Sequence, residues 1–178
     1  MTYDMAKDIV DYLINNYKIR EKENLLNGQN KIGITFFGGE PTLLFDTVIK
    51  PIILYIKNGQ YAESFDFNMT TNGTLLNEER IKFLKENDVG LLLSIDGDKE
   101  TQNYNRPCKN LTSTTSFDLL NKNIPILLKY YPNLIFRSTI YKDTVNHLYD
   151  NFLFAEKMGF KHFIAIPDAR SKNWDDES

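Results

Sequence analysis

Cysteine and histidine are scarce in this sequence. Its 178 residues include one cysteine, Cys108, and two histidines, His147 and His162. A single cysteine excludes an intrachain disulfide. One thiol and two imidazoles cannot complete a zinc tetrad or a cysteine-ligated iron-sulfur cluster. Because no histidine lies near Cys108 in the sequence, we expect an incidental thiol and not an activated nucleophile.

The sequence also lacks an excess of positive charge and long apolar segments. It has 21 Lys and Arg against 24 Asp and Glu, without the basic surplus that binding to nucleic-acid phosphates exploits. No apolar run approaches the roughly 20 residues that cross a bilayer, and the residues after Met1 do not form a signal peptide. We therefore expect a globular cytoplasmic protein that binds neither nucleic acid nor membrane.

Apolar residues alternate between helical and strand spacing along most of the chain. Helical spacing over residues 5–17 predicts an amphipathic helix that ends before Arg20. Short apolar runs, several of them β-branched, predict five strands at residues 32–37, 65–69, 91–95, 134–140 and 163–166. Strands separated by helices predict an α/β fold with a parallel sheet and right-handed crossovers, because parallel neighbours need a long return connection.

The strands are apolar along nearly their whole length. This is typical of a parallel sheet covered on both faces, or of the wall of a (β/α) barrel, and the pattern alone does not separate the two. Pro125 lies within the helix predicted over residues 116–130, where it should kink or split the helix.

Unusual residues follow the first two strands, where parallel α/β proteins place their ligand sites. After the first strand, Gly38 and Gly39 let the backbone approach a ligand closely, and Glu40 can accept hydrogen bonds from an ammonium group. After the second, Thr71 and Asn72 offer hydroxyl and amide groups to a ribose, a carboxylate or an adenine. An ordinary glycine turn, and a turn followed by a helix cap, explain the same residues equally simply.

Polar residues also mark the later strands. Ser94 and Asp96 form a small polar cluster where the third strand ends, although a turn would also account for them. Arg106 lies in the following loop and can fold back onto a carboxylate or ribose as a fixed fork, whereas most loop arginines are solvated. Arg137 lies inside the fourth strand, where its charge would be buried unless it faces a polar lumen or a partner.

The order and spacing of these motifs closely resemble those of radical S-adenosylmethionine (SAM) enzymes. The sequence reads FFGGEPTL from Phe36, TNGTLL from Thr71 and SIDG from Ser94, with Arg106 beyond. The similarity is strongest to the anaerobic sulfatase-maturating and SPASM-type peptide-modifying branch, and it covers residues 31–168. It implies a partial (β/α) barrel with SAM lying across the strand ends, of which this chain holds about five strands and lacks the first.

The resemblance also implies a division of the chain into three parts. Residues 1–30 would form an N-terminal helix and a linker, residues 31–168 the partial barrel, and residues 169–178 the start of a linker to a C-terminal region.

The resemblance implies contacts to the methionine end of SAM. The glycine backbone of Gly38 and Gly39, together with Glu40, would meet the amino group. Arg137 could reach the carboxylate from the barrel lumen.

Further contacts to SAM are implied at the remaining strand ends. Thr71 and Asn72 would lie beside the nucleoside, and Ser94 and Arg106 would hold ribose hydroxyls and the carboxylate. Pro167 would border the adenine. By contrast, Asp96 is expected to support its turn.

One family motif is missing. Radical SAM enzymes carry a CxxxCxxC loop after the first barrel strand, where three thiolates hold a 4Fe-4S cluster that chelates SAM. This sequence has no such loop, and we expect a fragment that begins downstream of it, with degeneration as the competing explanation. A second, local departure is Pro107–Cys108 after Arg106, where the family has a glycine-containing stretch.

The resemblance implies an activity for the intact enzyme. An electron from the cluster, delivered by a donor such as flavodoxin or ferredoxin, would cleave SAM to a 5′-deoxyadenosyl radical. This radical would abstract a hydrogen atom from a substrate, expected to be a peptide or protein side chain. The fragment alone is expected to be inactive. Two alternatives stay open: a cluster-less binding or scaffold module, and a different (β/α) enzyme with Glu40 and Asp96 as an acid–base pair.

Overall fold

The computed structural model describes residues 1–26, 31–108, 114–169 and 174. Within these ranges the α-helices are α1 Tyr3–Lys22, α2 Lys50–Lys57, α3 Glu78–Glu86, α4 Lys99–Asn105, α5 Ser116–Tyr130 and α6 Leu148–Lys157. The strands are β1 Ile32–Phe36, β2 Phe65–Thr71, β3 Val89–Ser94, β4 Ile135–Ile140 and β5 His162–Pro167. Most of the linker predicted at residues 169–178, and part of the one before β1, lie outside the described residues.

The five strands form one sheet in the order β1-β2-β3-β4-β5. The β1–β2, β3–β4 and β4–β5 pairs are parallel, with Ile32 opposite Phe65, Ser94 opposite Arg137 and Ile135 opposite His162. The predicted α/β fold with five strands is therefore confirmed. Helices return the chain between successive strands, as parallel pairing requires.

Two helices differ from the sequence-based expectation, and a third, α5, is not split at Pro125. Helix α1 continues past Arg20 to Lys22. Helix α5 runs unbroken through Pro125, because burial of Leu120, Ile124 and Leu127 outweighs the loss of one backbone hydrogen bond. Helix α4 forms in a stretch predicted to be irregular, since the Asp98 side chain caps it by accepting a hydrogen bond from the backbone N–H of Thr101.

The chain divides into two compact units. The first comprises residues 1–70 and 84–90, and the second comprises residues 71–83 and 91–178. In the first unit one face of the β1–β2 pair is apolar, with the rings of Phe36 and Phe67 stacked at 6.4 Å between centroids. The opposite face leaves Thr35 and Asn68 exposed. The two faces of this pair therefore differ, and one of them is open.

The second unit is built on an aromatic cluster around Phe136, which is fully buried in β4. Its ring lies 5.2 Å from that of Phe160 and 5.1 Å from that of Phe163, measured between centroids. Burial alternates along β4: Phe136 is buried, whereas its neighbour Arg137 is half-buried. The face of β4 that carries Arg137 is therefore the more open one.

Candidate functional site

Two consecutive glycines follow β1 in the first unit. Gly38 has a backbone φ of +149°, a conformation that residues other than glycine rarely adopt. Gly39 lies outside that region, and a Cβ added at either glycine would meet no atom within 4 Å. Neither the backbone angle nor the packing therefore requires glycine at position 39. A ligand group that approaches the backbone closely would explain it.

Glu40 is held by the short 3-10 turn that it begins, Pro41–Leu44. Its Oε1 accepts a hydrogen bond from the backbone N–H of Thr42 at 3.0 Å and another from the Thr42 hydroxyl. The side chain thus acts as an N-cap, which fixes the direction of the carboxylate after β1.

The turn after β2 is shaped by the polar side chains of its own residues. The Thr71 hydroxyl accepts a hydrogen bond from Gly73 N at 3.0 Å, and Asn72 Oδ1 accepts from Thr74 N at 3.0 Å and from the Thr74 hydroxyl at 2.8 Å. From α5, Asn123 Nδ2 donates to Gly73 O at 3.0 Å. The side-chain oxygens of Thr71 and Asn72 therefore have a structural role in the turn.

Arg137 and Ser94 are register partners on adjacent parallel strands, so their side chains leave the sheet on the same face. Ser94 is buried and Arg137 is half-buried. Among residues 1–26, 31–108, 114–169 and 174, no group forms an ion pair or hydrogen bond with the Arg137 guanidinium. A half-buried arginine without an anionic partner among the described residues is a candidate to bind an anionic ligand group.

The structure places Arg106 on Asp96. The Arg106 guanidinium donates from Nε to Asp96 Oδ2 at 2.8 Å and from Nη2 to Oδ1 at 3.0 Å. Asp96 Oδ1 also accepts from the backbone N–H of Thr139 at 2.9 Å. The Asp96 side chain is 0% exposed. A buried carboxylate with three donors is out of reach of a substrate, so the acid–base pair of Glu40 and Asp96 gains no support.

Pro167 ends β5 and is exposed, opposite Ile140 in the register. The pairing continues one residue further, because Asp168 N donates to Ile140 O at 2.9 Å. The Asp168 carbonyl in turn accepts from Trp174 Nε1 at 2.9 Å. The end of β5 is therefore ordered around the position where the adenine was predicted.

Three polar residues that organise the strand ends were missed from the sequence. Gln102 Oε1 accepts from Asp96 N at 2.8 Å, Asn151 Oδ1 accepts from Asp98 N at 2.9 Å, and Asn123 holds the turn after β2. All three side chains are almost fully buried. An amide residue on the apolar face of a predicted helix is the signal that would have found Asn123 and Asn151.

The amino-acid sequence matches the family model for the radical SAM superfamily over residues 8–154. This chain belongs to the radical SAM superfamily. A cysteine-type anaerobic sulfatase-maturating enzyme of Clostridium novyi (strain NT) is 33% identical over 134 residues, which cover 74% of this chain and 35% of the relative. The chain thus spans about a third of the length of that curated relative.

Solved structures agree with this membership. The structure of anSMEcpe with bound AdoMet is 27% identical, has a TM-score of 0.67, and is matched over 80% of this chain and 38% of its own. A second structure, with bound AdoMet and the Cp18Cys peptide, gives the same identity and TM-score and is matched over 40% of its length. These matches confirm the predicted fold class, the partial (β/α) barrel of radical SAM proteins.

The residues of this chain fit SAM but do not fit the iron-sulfur cluster of the superfamily. In the second unit Arg137, which has no anionic partner among the described residues, fits the carboxylate of a ligand such as SAM. The cluster does not fit this chain, which has a single cysteine where three thiolates are needed. In the described ranges Cys108 is exposed, and His, Cys, Asp and Glu nowhere form a group of three that could hold a metal.

Among the described residues, no helix has both the length and the apolar character needed to span a membrane.

Proposed function

We propose that this chain forms the SAM-binding core of a longer radical SAM enzyme that acts on a peptide or protein side chain. Its superfamily membership supports SAM binding, and two similar solved proteins hold AdoMet, one of them together with a peptide. When bound, SAM supplies the 5′-deoxyadenosyl radical for hydrogen abstraction. The residues of this chain bind and orient it.

Arg137 is the single observation that carries the proposal. The residue is half-buried, and its guanidinium has no anionic partner in the described part of the chain. The carboxylate of the methionine moiety would compensate this charge with a charge-assisted hydrogen bond. The Ser94 hydroxyl, on the same face of the neighbouring strand, would donate to or accept from the same ligand.

The remaining contacts keep the assignments that the resemblance implies. The backbone of Gly38 and Gly39 and the Glu40 carboxylate would accept from the SAM amino group, and the open space at Gly39 supports this assignment. The turn containing Thr71 and Asn72 would lie beside the nucleoside, and Pro167 would border the adenine. Arg106 would reach the ribose hydroxyls or the carboxylate.

The cluster and its electron supply belong to the proposal for the longer protein. Its thiolate ligands would come from outside this chain, and a flavodoxin or ferredoxin would deliver the electron. We also propose a cytoplasmic location, with residues 1–30, 31–168 and 169–178 as helix and linker, barrel core, and start of a second linker. The chain alone is expected to bind SAM without turnover.

Calorimetric titration of SAM into the 178-residue chain and into Arg137→Met tests the proposal. A hydrogen bond to a charged group contributes about 1.5–3 kcal/mol, so the variant should bind about ten- to a hundredfold more weakly. Gly39→Val should also lose affinity, because its side chain would fill the space proposed for the ligand. Both variants should unfold at the wild-type urea concentration.

Lys129→Met serves as the matched control. Lys129 carries the same charge as Arg137 in the same unit, and its ion pair with Glu78 at 3.4 Å is solvent-exposed. SAM affinity should be unchanged in this variant. Equal SAM affinities for the wild type and Arg137→Met, or no saturable SAM binding by the wild type at millimolar concentration, would refute the proposal.

A further inference from the structure

We propose that Asp96 is a positioning residue for SAM binding, which acts by fixing the guanidinium of Arg106. The inference rests on the proposed function, since it assumes that the second unit binds SAM. It assigns to Asp96 a role beyond supporting its own turn, and it separates the tasks of the two arginines.

Asp96 is itself held by hydrogen bonds to two neighbouring elements. Asp96 N donates to Gln102 Oε1 at 2.8 Å, and Asp96 O accepts from the Ser138 hydroxyl at 2.8 Å. The carboxylate accepts from the backbone N–H of Thr139 at 2.9 Å. Groups from α4 and β4 therefore fix both the main chain and the side chain of Asp96. A carboxylate held at this many points has one orientation.

The Arg106 guanidinium is held in turn by the Asp96 carboxylate. The Asp96 carboxylate accepts hydrogen bonds from two nitrogens of Arg106, Nε and Nη2, in a side-on pair. The plane of the guanidinium therefore follows the plane of the carboxylate. The backbone of Arg106 is fixed as well, because Arg106 N donates to Gln102 O at 2.9 Å and Arg106 O accepts from the Ser116 hydroxyl at 2.6 Å. The side chain keeps 30% of its surface exposed.

The third nitrogen of the fork is left for a ligand. In the described part of the chain, Arg106 Nη1 donates to no acceptor. Since Nε and Nη2 are fixed on a buried carboxylate, the direction of the Nη1 hydrogens is set before any ligand arrives. Pre-ordering of a long side chain removes the rotamer entropy that binding would otherwise cost, about 0.5–1.5 kcal/mol for each side chain.

Arg106 and Arg137 differ in how their positive charges are compensated. The pair of Asp96 and Arg106 has no net charge, whereas Arg137 has no anionic partner among the described residues. A ligand carboxylate is therefore drawn to Arg137. Arg106 is suited to a neutral acceptor such as a ribose hydroxyl oxygen. Its pairing with Asp96 thus assigns Arg106 to the nucleoside half of the ligand.

The experiment compares the SAM affinities of Arg106→Lys, Asp96→Asn and the double variant by calorimetry on the 178-residue chain. Arg106→Lys keeps a positive charge near the buried carboxylate but lacks the fork. Each single variant should weaken SAM binding about tenfold. The double variant should be no weaker than the single variants, because Asp96 acts through Arg106. Losses that add in the double variant would overturn the inference.

Titration with two compounds that each contain part of SAM shows which part of the ligand Arg106 contacts. The affinity for 5′-methylthioadenosine, which has the nucleoside without the carboxylate, should be about tenfold weaker in Arg106→Lys than in the wild type. The affinity for methionine should be unchanged in Arg106→Lys and should be weaker in Arg137→Met. A loss confined to methionine in Arg106→Lys would overturn the inference but leave the proposed function standing.

Controls separate this inference from misfolding and from failure of the proposed function. Arg20→Lys makes the same chemical change at an exposed position of α1 and should bind SAM as the wild type does. Urea unfolding of Arg106→Lys identifies any loss of fold; this variant should unfold near the wild-type midpoint. If Arg106→Lys is folded and binds SAM with wild-type affinity, the role of Asp96 is refuted but the proposed function still stands. Absence of saturable binding by the wild type overturns the proposed function as well.

Discussion

Replacement of Gly73 by alanine should destabilise the second unit through two separate effects. Gly73 has φ of +73°, and an alanine in this left-handed conformation costs about 1–2 kcal/mol. Its Cβ would lie 2.7 Å from Leu93 Cδ1 and 2.9 Å from Leu120 Cδ1, and overpacking of this kind costs about 1–3 kcal/mol. Burial of one added methyl offsets about 0.8 kcal/mol. The free energy of unfolding should therefore fall by about 1–4 kcal/mol.

Urea unfolding followed by circular dichroism measures this change, with Gly39→Ala as the matched control. Gly39 has neither the left-handed backbone nor a neighbour within 4 Å of an added Cβ, so its alanine variant should stay within about 0.5 kcal/mol of the wild type. The reasoning would be refuted if Gly73→Ala unfolded at the wild-type midpoint. It would also be refuted if both alanine variants lost the same stability.

Two further substitutions test the aromatic cluster and a helix cap. Phe136→Ala should lower the unfolding free energy by about 3–5 kcal/mol, since it empties a fully buried site among three rings; a loss under about 1 kcal/mol in urea unfolding would contradict this. The hydrogen bonds from Thr115 lower the pKa of Asp118 in the folded protein. The ionised Asp118 carboxylate therefore stabilises the fold above the unfolded-state pKa of about 3.9. This stabilisation is lost as pH falls through the lower folded-state pKa. Asp118→Asn should therefore have a lower urea midpoint than the wild type at pH 6, and this difference should shrink below about pH 4; a difference that stays constant with pH would be inconsistent with the cap.

The number of strands and the class of fold were predictable because they follow from local periodicity. Each apolar run that ended in glycine or a polar turn became a strand, and the helices between them forced parallel pairing. The bounds of α5 were predicted as residues 116–130, but its continuity through Pro125 was not predictable in this way. Pro125 disfavours a helix locally, and only the burial of Leu120, Ile124 and Leu127 keeps α5 continuous.

The residues at the strand ends were predictable, but their partners were not. Ser94, Arg106 and Arg137 stood out as polar or charged groups at or beyond the ends of apolar runs. The pairing of Arg106 with Asp96 depends on a buried carboxylate that also accepts from Thr139, 43 residues away in sequence. Contacts over such separations are set by the packed fold and leave no periodic signal in the sequence. The SAM contacts themselves stay predictions.

The amide of Asn123 has a consequence for the order in which the chain folds. The turn after β2 closes through bonds between residues two positions apart, which form quickly, whereas Asn123 reaches Gly73 O and Leu76 O across 50 and 47 residues. Contacts of long sequence separation carry a large loop-closure entropy and form late. The turn should therefore exist first as a fluctuating local structure and become rigid only when α5 docks. Slow docking of α5 would then delay the appearance of binding-competent protein after refolding begins.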